Sequence, residues 1–427
     1  MTVPEQHPGE TFGRAAQSLI YRAGVFGRSP RVPVSPRELA AAAERRMTKQ
    51  AWRYVAGSAG QESTARANRT AFDRWRIVPR MLRDTSRRDG SVELFGRRLP
   101  APVLLAPIGV LELAHPEADL AVARAASELD TPMVISTQAS APMEDVAGEL
   151  GTTPSWYQLY WPNDDRLAES LVARAEAIGA SAIVVTLDTG LLGWRPRDLD
   201  IGWLPFSRGM GIAQYTSDPV FTEIAERRVP ASAGDRPTLT AVRSLLTMAR
   251  RYPGPLLRNL RSPLPRSAVE TFIDVFSNPA LDWGQLQWLR ERTSLPIVLK
   301  GLQHPDDARR ALDHGIDGIV VSNHGGRQVD GAIGSLDALP EVVREVDGTV
   351  PVLFDSGVRG GADVFTALAL GARAVLVGRP YVYGLGLAGQ RGVYEAVRNI
   401  IAEFDLTLAL AGCTSPADVT ADMLRRV

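Results

Sequence analysis

Eight short runs of aliphatic, mostly β-branched residues recur along the chain. They are PVLLA (102–106), PMVIS (132–136), WYQLY (156–160), AIVVT (182–186), PIVLK (296–300), GIVVS (318–322), PVLFD (351–355) and AVLVG (374–378). Each is too short and too β-branched for a helix. Apolarity without alternation suits strands buried on both faces, as in a parallel sheet. Between most of them lie helical patterns. PEADLAVARAASELD and PDDARRALDHG open with proline and acids, and DRLAESLVARAEAIGA stops at glycine, as helix starts and ends do. Eight strands alternating with helices predict an α/β fold, a (β/α)8 TIM barrel, with a doubly wound sheet as the alternative.

The chain has 427 residues, 45% of them hydrophobic, enough for one barrel with additions. Residues 1–100 read as an N-terminal helical segment ending in a hairpin, RDGSVELFGRRLPAP, that closes the barrel bottom. Residues 101–400 read as the barrel and 401–427 as a C-terminal helical tail. Roughly 110 residues separate the fourth run from the fifth, so residues about 200 to 280 form an insertion. A loop that long is functional or disordered. From Arg227 to Arg266 it holds nine arginines and one acid, Asp235.

With 48 basic and 48 acidic residues, net charge gives no footprint for nucleic acid or an anionic membrane. No apolar run is long enough to span a bilayer, and MTVPEQHPGE lacks the features of a secretory signal. The single cysteine, Cys413, excludes an internal disulfide and suits a reducing compartment. A cytoplasmic location is expected. All but two basic residues are arginine, the exceptions being Lys49 and Lys300. A lysine at the end of a barrel strand therefore stands out.

Barrel chemistry sits at the C-terminal mouth. The residues ending the eight runs are Ala106-Pro107, Ser136, Gln158 with Tyr160, Thr186 with Asp188, Lys300, Ser322 with His324, Asp355, and Gly378-Arg379. Small polar residues end many strands, which covers Ser136 and Thr186 but not Lys300 or the His324–Arg327 pair. DSGVRGGAD (355–363) and VGRP (377–380) follow the last two strands, where barrels bind phosphate. Their glycines admit oxygens to backbone N–H groups, and Arg359 and Arg379 can fork onto a phosphate. Glycine-rich turns with surface arginines are the plain alternative. GLGLAG (384–389) matches a dinucleotide fingerprint but trails its strand, so packing before a final helix is the better reading. His324 can take a proton near neutral pH, Asp188 can orient it, and Arg195 and Arg327 can clamp a carboxylate. His7, His115, His304 and His314 read as structural or exposed, and no histidine spacing suits a metal.

The motif SNHGGRQVDGAIGSLDALPEV resembles the active-site signature of the FMN-dependent α-hydroxy-acid oxidase and dehydrogenase family. YVAGSAGQESTARANRTAF, APIG, QLY, VVTLDT, VLKG and FDSGVRGGADVFTALALGA extend the resemblance from about Leu39 to Arg398. TLDTGLLGWRPRDLD and the long insertion are similar to bacterial lactate 2-monooxygenases more than to plant glycolate oxidases. The resemblance implies FMN as cofactor, and a small L-2-hydroxy acid and O2 as substrates. A homo-oligomer, tetramer or octamer, is expected. His324 would be the base, paired with Asp188, with Tyr160 also catalytic. Arg195, Arg327, Tyr54 and Tyr160 would bind the substrate. Lys300 would face the flavin N1–C2 edge and stabilise the reduced ring. Gln158, Thr186 and Ser136 would hydrogen-bond the isoalloxazine, and Pro107, Ile108 and Gly109 would line it near N5. Ser322 would hold the ribityl or ring edge. Asp355, Ser356, Gly357 and Arg359, with Gly378 and Arg379, would bind ribityl and phosphate.

Many members carry alanine where Gly109 stands, so the smaller residue changes the room near N5. Gly190 is expected to widen the substrate pocket. Two rival classes remain at this point: a non-redox barrel with Lys300 as a Schiff-base lysine, and a catalytically silent binding module.

Overall fold

The computed structural model describes residues 11–228 and 238–427. Eight parallel strands close into a barrel: β1 (Val103–Leu105), β2 (Met133–Ser136), β3 (Ser155–Leu159), β4 (Ile183–Thr186), β5 (Ile297–Leu302), β6 (Gly318–Val321), β7 (Val352–Phe354) and β8 (Ala374–Val377). All eight fall on the apolar runs. Nearly every strand residue is buried, which is why the runs show no polar alternation. β8 pairs back onto β1, with Val377 opposite Leu105, so the sheet has no free edge.

The expected hairpin is present. Val92–Leu94 pairs with Arg97–Leu99 across Phe95 and Gly96, both left-handed at φ 48° and 72°, the mark of a tight two-residue turn. The Phe95 ring lies 5.4 Å from that of Trp156. The hairpin joins Leu104, Val134, Val184, Val298, Val320, Leu353 and Leu376 in one apolar cluster, so it plugs the end of the barrel opposite the active-site mouth.

Helix starts follow the side chains able to cap them. Asp164 accepts from the N–H groups of Arg166 and Leu167 and starts Asp165–Ala177. His304 accepts from Asp306 N–H and starts Pro305–Asp313, so this "HP" histidine is a cap. The N-terminal segment holds four helices, Phe12–Val25, Pro36–Arg46, Lys49–Ala56 and Ser63–Asp73. The C-terminal tail departs from the helical expectation. The helix beginning at Arg379 runs to Ala411 and breaks at Ala388 and Gly389, inside GLGLAG. The chain then ends in a strand, Leu424–Arg426, antiparallel to Trp75–Ile77. The tail ties the C-terminal residues to the segment between the N-terminal helices and the hairpin.

In its described residues, the insertion after β4 is largely helical rather than an extended loop. It contains the helices Pro219–Arg227, Leu239–Arg251, Leu256–Arg261 and Leu264–Val275. Tyr215, Phe221 and Phe272 form its core, with the Phe272 ring 4.9 Å from Tyr215 and 5.0 Å from Phe276. The aromatic spacing is too irregular along the sequence to announce this core. Arg236 and Asp235 of the arginine-rich stretch lie outside the described residues. No helix among the described residues is long and apolar enough to cross a membrane.

Candidate active site

The SNHGGRQ turn is held in a conformation that few residues adopt. His324, Gly325 and Gly326 all have positive φ, at 59°, 68° and 77°. A Cβ at position 326 would stand 2.6 Å from the Ala65 nitrogen, and one at 325 would stand 2.8 Å from Arg379 Nη1. Only glycine fits both places. A histidine in the left-handed region is strained, and its surroundings hold it there. His324 N–H donates to Ser322 Oγ at 3.0 Å, and Gly325 N–H donates to Ser356 Oγ at 2.9 Å. Asn323 exchanges two hydrogen bonds with Asn68, at 2.8 and 2.7 Å.

This turn aims the imidazole at two partners. His324 Nδ1 stands 2.7 Å from Asp188 Oδ1, and Nε2 stands 3.4 Å from the Tyr160 hydroxyl. Gly301, at φ 111°, makes room for Asp188, because a Cβ there would meet the Asp188 side chain at 2.9 Å. Burial pushes the Asp188 carboxyl up, but His324 and Lys300 together outweigh it and hold it at about 2. Burial also lowers the His324 imidazole below its ordinary value, against the pull of Asp188. The pair therefore rests as a carboxylate beside a neutral imidazole, ready to accept a proton at Nε2. Tyr160 is pushed up to about 12, first by burial and then by Asp188, so its hydroxyl stays a donor.

A cavity opens at the barrel mouth beside these groups. Among the residues assigned above to flavin or substrate, all but Ser136, Gln158 and Ser322 form its wall. Those three sit one layer behind. Ser136 Oγ bonds Gln158 Oε1 at 3.2 Å, and Ser322 Oγ accepts from Lys300 Nζ at 2.9 Å. Asp188 also lies behind, on a second cavity shared with Gly190, Trp161 and Trp283. Gly190 lines this second cavity, which shares Tyr160, Thr186, Thr189 and Phe276 with the first.

Four arginines line the first cavity, Arg195 buried and Arg327, Arg359 and Arg379 partly buried. Arg195, Arg327, Arg359 and Arg379 form no ion pair with any carboxylate among the described residues. Arg195 donates to Gln328 Oε1 at 2.9 Å, and Arg327 to the carbonyls of Tyr54 and Gly57 at 2.6 and 2.7 Å. Arg379 donates to the carbonyls of Val55, Gly57 and Gly325. Burial lowers Arg195 to about 10, helped by Arg327, and lowers Arg379 to about 9. Guanidinium groups drawn even partly out of water without a counter-charge favour anions beside them. Arg359 and Arg379 lie at the ends of β7 and β8, where a phosphate would be held. Arg195 and Arg327 flank His324, where a carboxylate would be held.

The site fits a flavin on a second observation. Gln158 Nε2 and Thr186 Oγ1 are buried and have no hydrogen-bond partner. Such groups are costly unless something accepts from or donates to them, and a ring edge rich in carbonyls and nitrogens would do both. Lys300 Nζ lies 3.1 Å from Asp355 Oδ2, a pairing that overcomes burial and raises its pKa. A lysine kept charged in this way is a poor Schiff-base nucleophile. Cavity residues that the sequence did not single out include Gln138, Thr189, Leu192, Phe206 and Phe276. Gln138 had a signal, two residues beyond Ser136 at a strand mouth. Among the described residues no cluster suits a metal ion.

Residues 43–426 match the family model described as FMN-dependent dehydrogenase. The chain is 41% identical to an FMN-dependent alpha-hydroxy acid dehydrogenase of Penicillium citrinum, covering 98% of this chain and 97% of that one. It is 42% identical to an L-lactate oxidase of Lysinibacillus sphaericus, over 85% of each. A solved mandelate oxidase with (S)-4-hydroxymandelic acid superposes with a TM-score of 0.76 at 36% identity, covering 92% of this chain and 98% of that one. With its barrel and these relatives, the chain belongs to the FMN-dependent α-hydroxy-acid dehydrogenase and oxidase family and is an FMN-dependent 2-hydroxy-acid oxidoreductase.

Proposed function

We propose that the enzyme oxidises a short L-2-hydroxy acid, lactate in the first instance, and that it is a lactate 2-monooxygenase: lactate and O2 give acetate, CO2 and water. The observation that carries the first half is the His324–Asp188 contact at 2.7 Å beside two carboxylate-free arginines. Arg195 and Arg327 bind the substrate carboxylate, with Tyr54 alongside. The Tyr160 hydroxyl and His324 Nε2 meet the substrate hydroxyl. His324 takes up the proton that the oxidation releases, and Asp188 stabilises the resulting imidazolium. Bound FMN supplies the electron-accepting chemistry, taking two electrons from the substrate and passing them to oxygen.

The second half rests on enclosure. Phe206 and Phe276 of the insertion wall the cavity, and Phe206 is fully buried. The insertion is fastened to the loop after β1. Gly211 N–H donates to Glu112 Oε1 at 3.1 Å, and Arg251 pairs with Glu112 Oε2 at 2.5 Å. A fastened cover keeps the 2-oxo acid beside the reduced cofactor and excludes water.

A second reading is an oxidase that releases pyruvate and hydrogen peroxide. It is favoured by the space beside Gly109, which is not empty: a Cβ there would meet Gln138 Cβ at 2.8 Å. Product analysis without catalase decides between the two. Acetate and CO2 without free peroxide support the monooxygenase. One peroxide and one pyruvate per oxygen support the oxidase.

A further inference from the structure

We propose that Gln328 is a positioning residue that also sets specificity: its side-chain amide fastens the loop carrying Asp188 and Arg195 to the turn carrying His324 and Arg327, and it orients Arg195 without neutralising it. The site is thereby kept for 2-hydroxy acids with an ionised carboxyl group and against their neutral amides. This deepens the reading of Arg195 and Arg327 as a carboxylate clamp and rests on it.

The two halves of the site come from different parts of the barrel. Asp188 and Arg195 follow β4, whereas His324 and Arg327 follow β6. β5 stands between these strands, so no ladder joins them. Gln328 spans the gap. Its Nε2 donates to the carbonyls of Asp188 and Leu191, both at 2.8 Å. Its Oε1 accepts from Arg195 Nη2 at 2.9 Å and from Gly193 N–H at 3.3 Å. Carbonyls only accept, and guanidinium and peptide N–H groups only donate. The amide therefore has one orientation, with both donors and both lone pairs in use. Gly193 permits the close approach. A Cβ there would stand 2.5 Å from the Arg327 carbonyl oxygen and 2.9 Å from Gln328 Cα.

The same bonds decide the charge of the clamp. Arg195 is 6% exposed. Among the described residues its guanidinium donates to neutral acceptors, Gln328 Oε1 and, at 3.2 Å, the Arg327 carbonyl. Arg327 is held in the same manner by the carbonyls of Tyr54 and Gly57. Neutral acceptors fix a guanidinium in place and leave its charge for a ligand. A glutamate of the same shape at position 328 would pair with Arg195 and cancel that charge. It would also turn a carboxylate oxygen towards the carbonyls of Asp188 and Leu191. A glutamine donates to two carbonyls, accepts from a guanidinium and carries no charge, which is what this place in the fold requires.

The test measures binding as well as reduction. Pyruvate and pyruvamide differ by a carboxylate against a neutral amide. Their dissociation constants are read from the absorbance of the bound flavin in oxidised holoenzyme. Wild type should bind pyruvate the more tightly. Gln328→Glu should weaken pyruvate by roughly ten- to hundredfold, the worth of one hydrogen bond to a charged group, and leave pyruvamide nearly unchanged. Gln328→Met removes the fastening but leaves both guanidinium charges in place. It should keep most of the preference for pyruvate, while anaerobic flavin reduction by L-lactate slows by roughly ten- to hundredfold, the penalty for misplaced reacting groups. FMN affinity and melting temperature are followed in both variants, and Gln328→Met tests the fastening should Gln328→Glu fold poorly. Wild-type discrimination in Gln328→Glu, or a wild-type reduction rate in Gln328→Met, overturns the proposal. Equal affinity of wild type for pyruvate and pyruvamide sinks the clamp reading, and this proposal with it. A preference for pyruvate that Gln328→Glu leaves intact sinks this proposal alone.

Discussion

Replacing Asp188 with asparagine isolates the electrostatic part of the base. Asp188 Oδ1 lies 2.7 Å from His324 Nδ1 in a buried setting. With an effective dielectric of about 20, Coulomb's law gives the carboxylate a pull of about 6 kcal/mol on the imidazolium at that distance. Asparagine retains a neutral hydrogen bond of about 1.5 kcal/mol. The difference, about 4.5 kcal/mol, corresponds to a reduction step slower by about 2 × 10³-fold. The pH dependence has a definite sign. Reduction needs neutral His324, so the rate is present above its pKa and falls as pH drops through it. Burial sets that pKa below 6.5, with Asp188 as the leading force holding it up. Asp188→Asn should therefore lower the plateau and also move the acid limb to lower pH. Anaerobic stopped-flow mixing of FMN-loaded enzyme with L-lactate from pH 4 to 8 reads both. A near-wild-type plateau, or an acid limb moved upward, would refute the pairing as described.

Further expectations concern the cofactor and the cover. Lys300→Met leaves Asp355 without its 3.1 Å partner and should weaken FMN binding or make the flavin harder to reduce, read by fluorescence titration and potentiometry. Lys300→Arg should restore this only in part, since a guanidinium is larger and planar. Gly109→Ala forces Gln138 aside and should cost roughly 1–3 kcal/mol of stability as overpacking, with kcat/KM falling more than Tm predicts; calorimetry and turnover check it. Glu112→Gln removes the Arg251 ion pair and should shift products from acetate towards pyruvate and peroxide, measured by oxygen and peroxide stoichiometry.

The barrel was legible because parallel strands buried on both faces must be apolar throughout, and eight such runs recur with helical patterns between most of them. The hairpin was legible from Phe95-Gly96 flanked by alternating residues. His324, Lys300 and the arginines were legible because strand ends in a barrel converge on one mouth. What stayed hidden is tertiary. Phe206 and Phe276 are ordinary aromatic residues until the insertion folds over the mouth. Gln138 becomes a cavity residue only once the loop after β2 folds against the mouth. The tail misled: LRR at 424–426 is a strand only because Trp75–Ile77 lies beside it.

The central claim is that His324 is the base of an FMN-dependent L-2-hydroxy-acid oxidation. Its most direct test is anaerobic bleaching of the bound flavin in wild type and in His324→Gln. The account predicts that L-lactate bleaches the wild-type flavin and D-lactate does not. In His324→Gln FMN should remain bound while reduction slows ~10²–10⁴-fold. A variant reduced at the wild-type rate, or a wild-type flavin that no L-2-hydroxy acid bleaches, would contradict it.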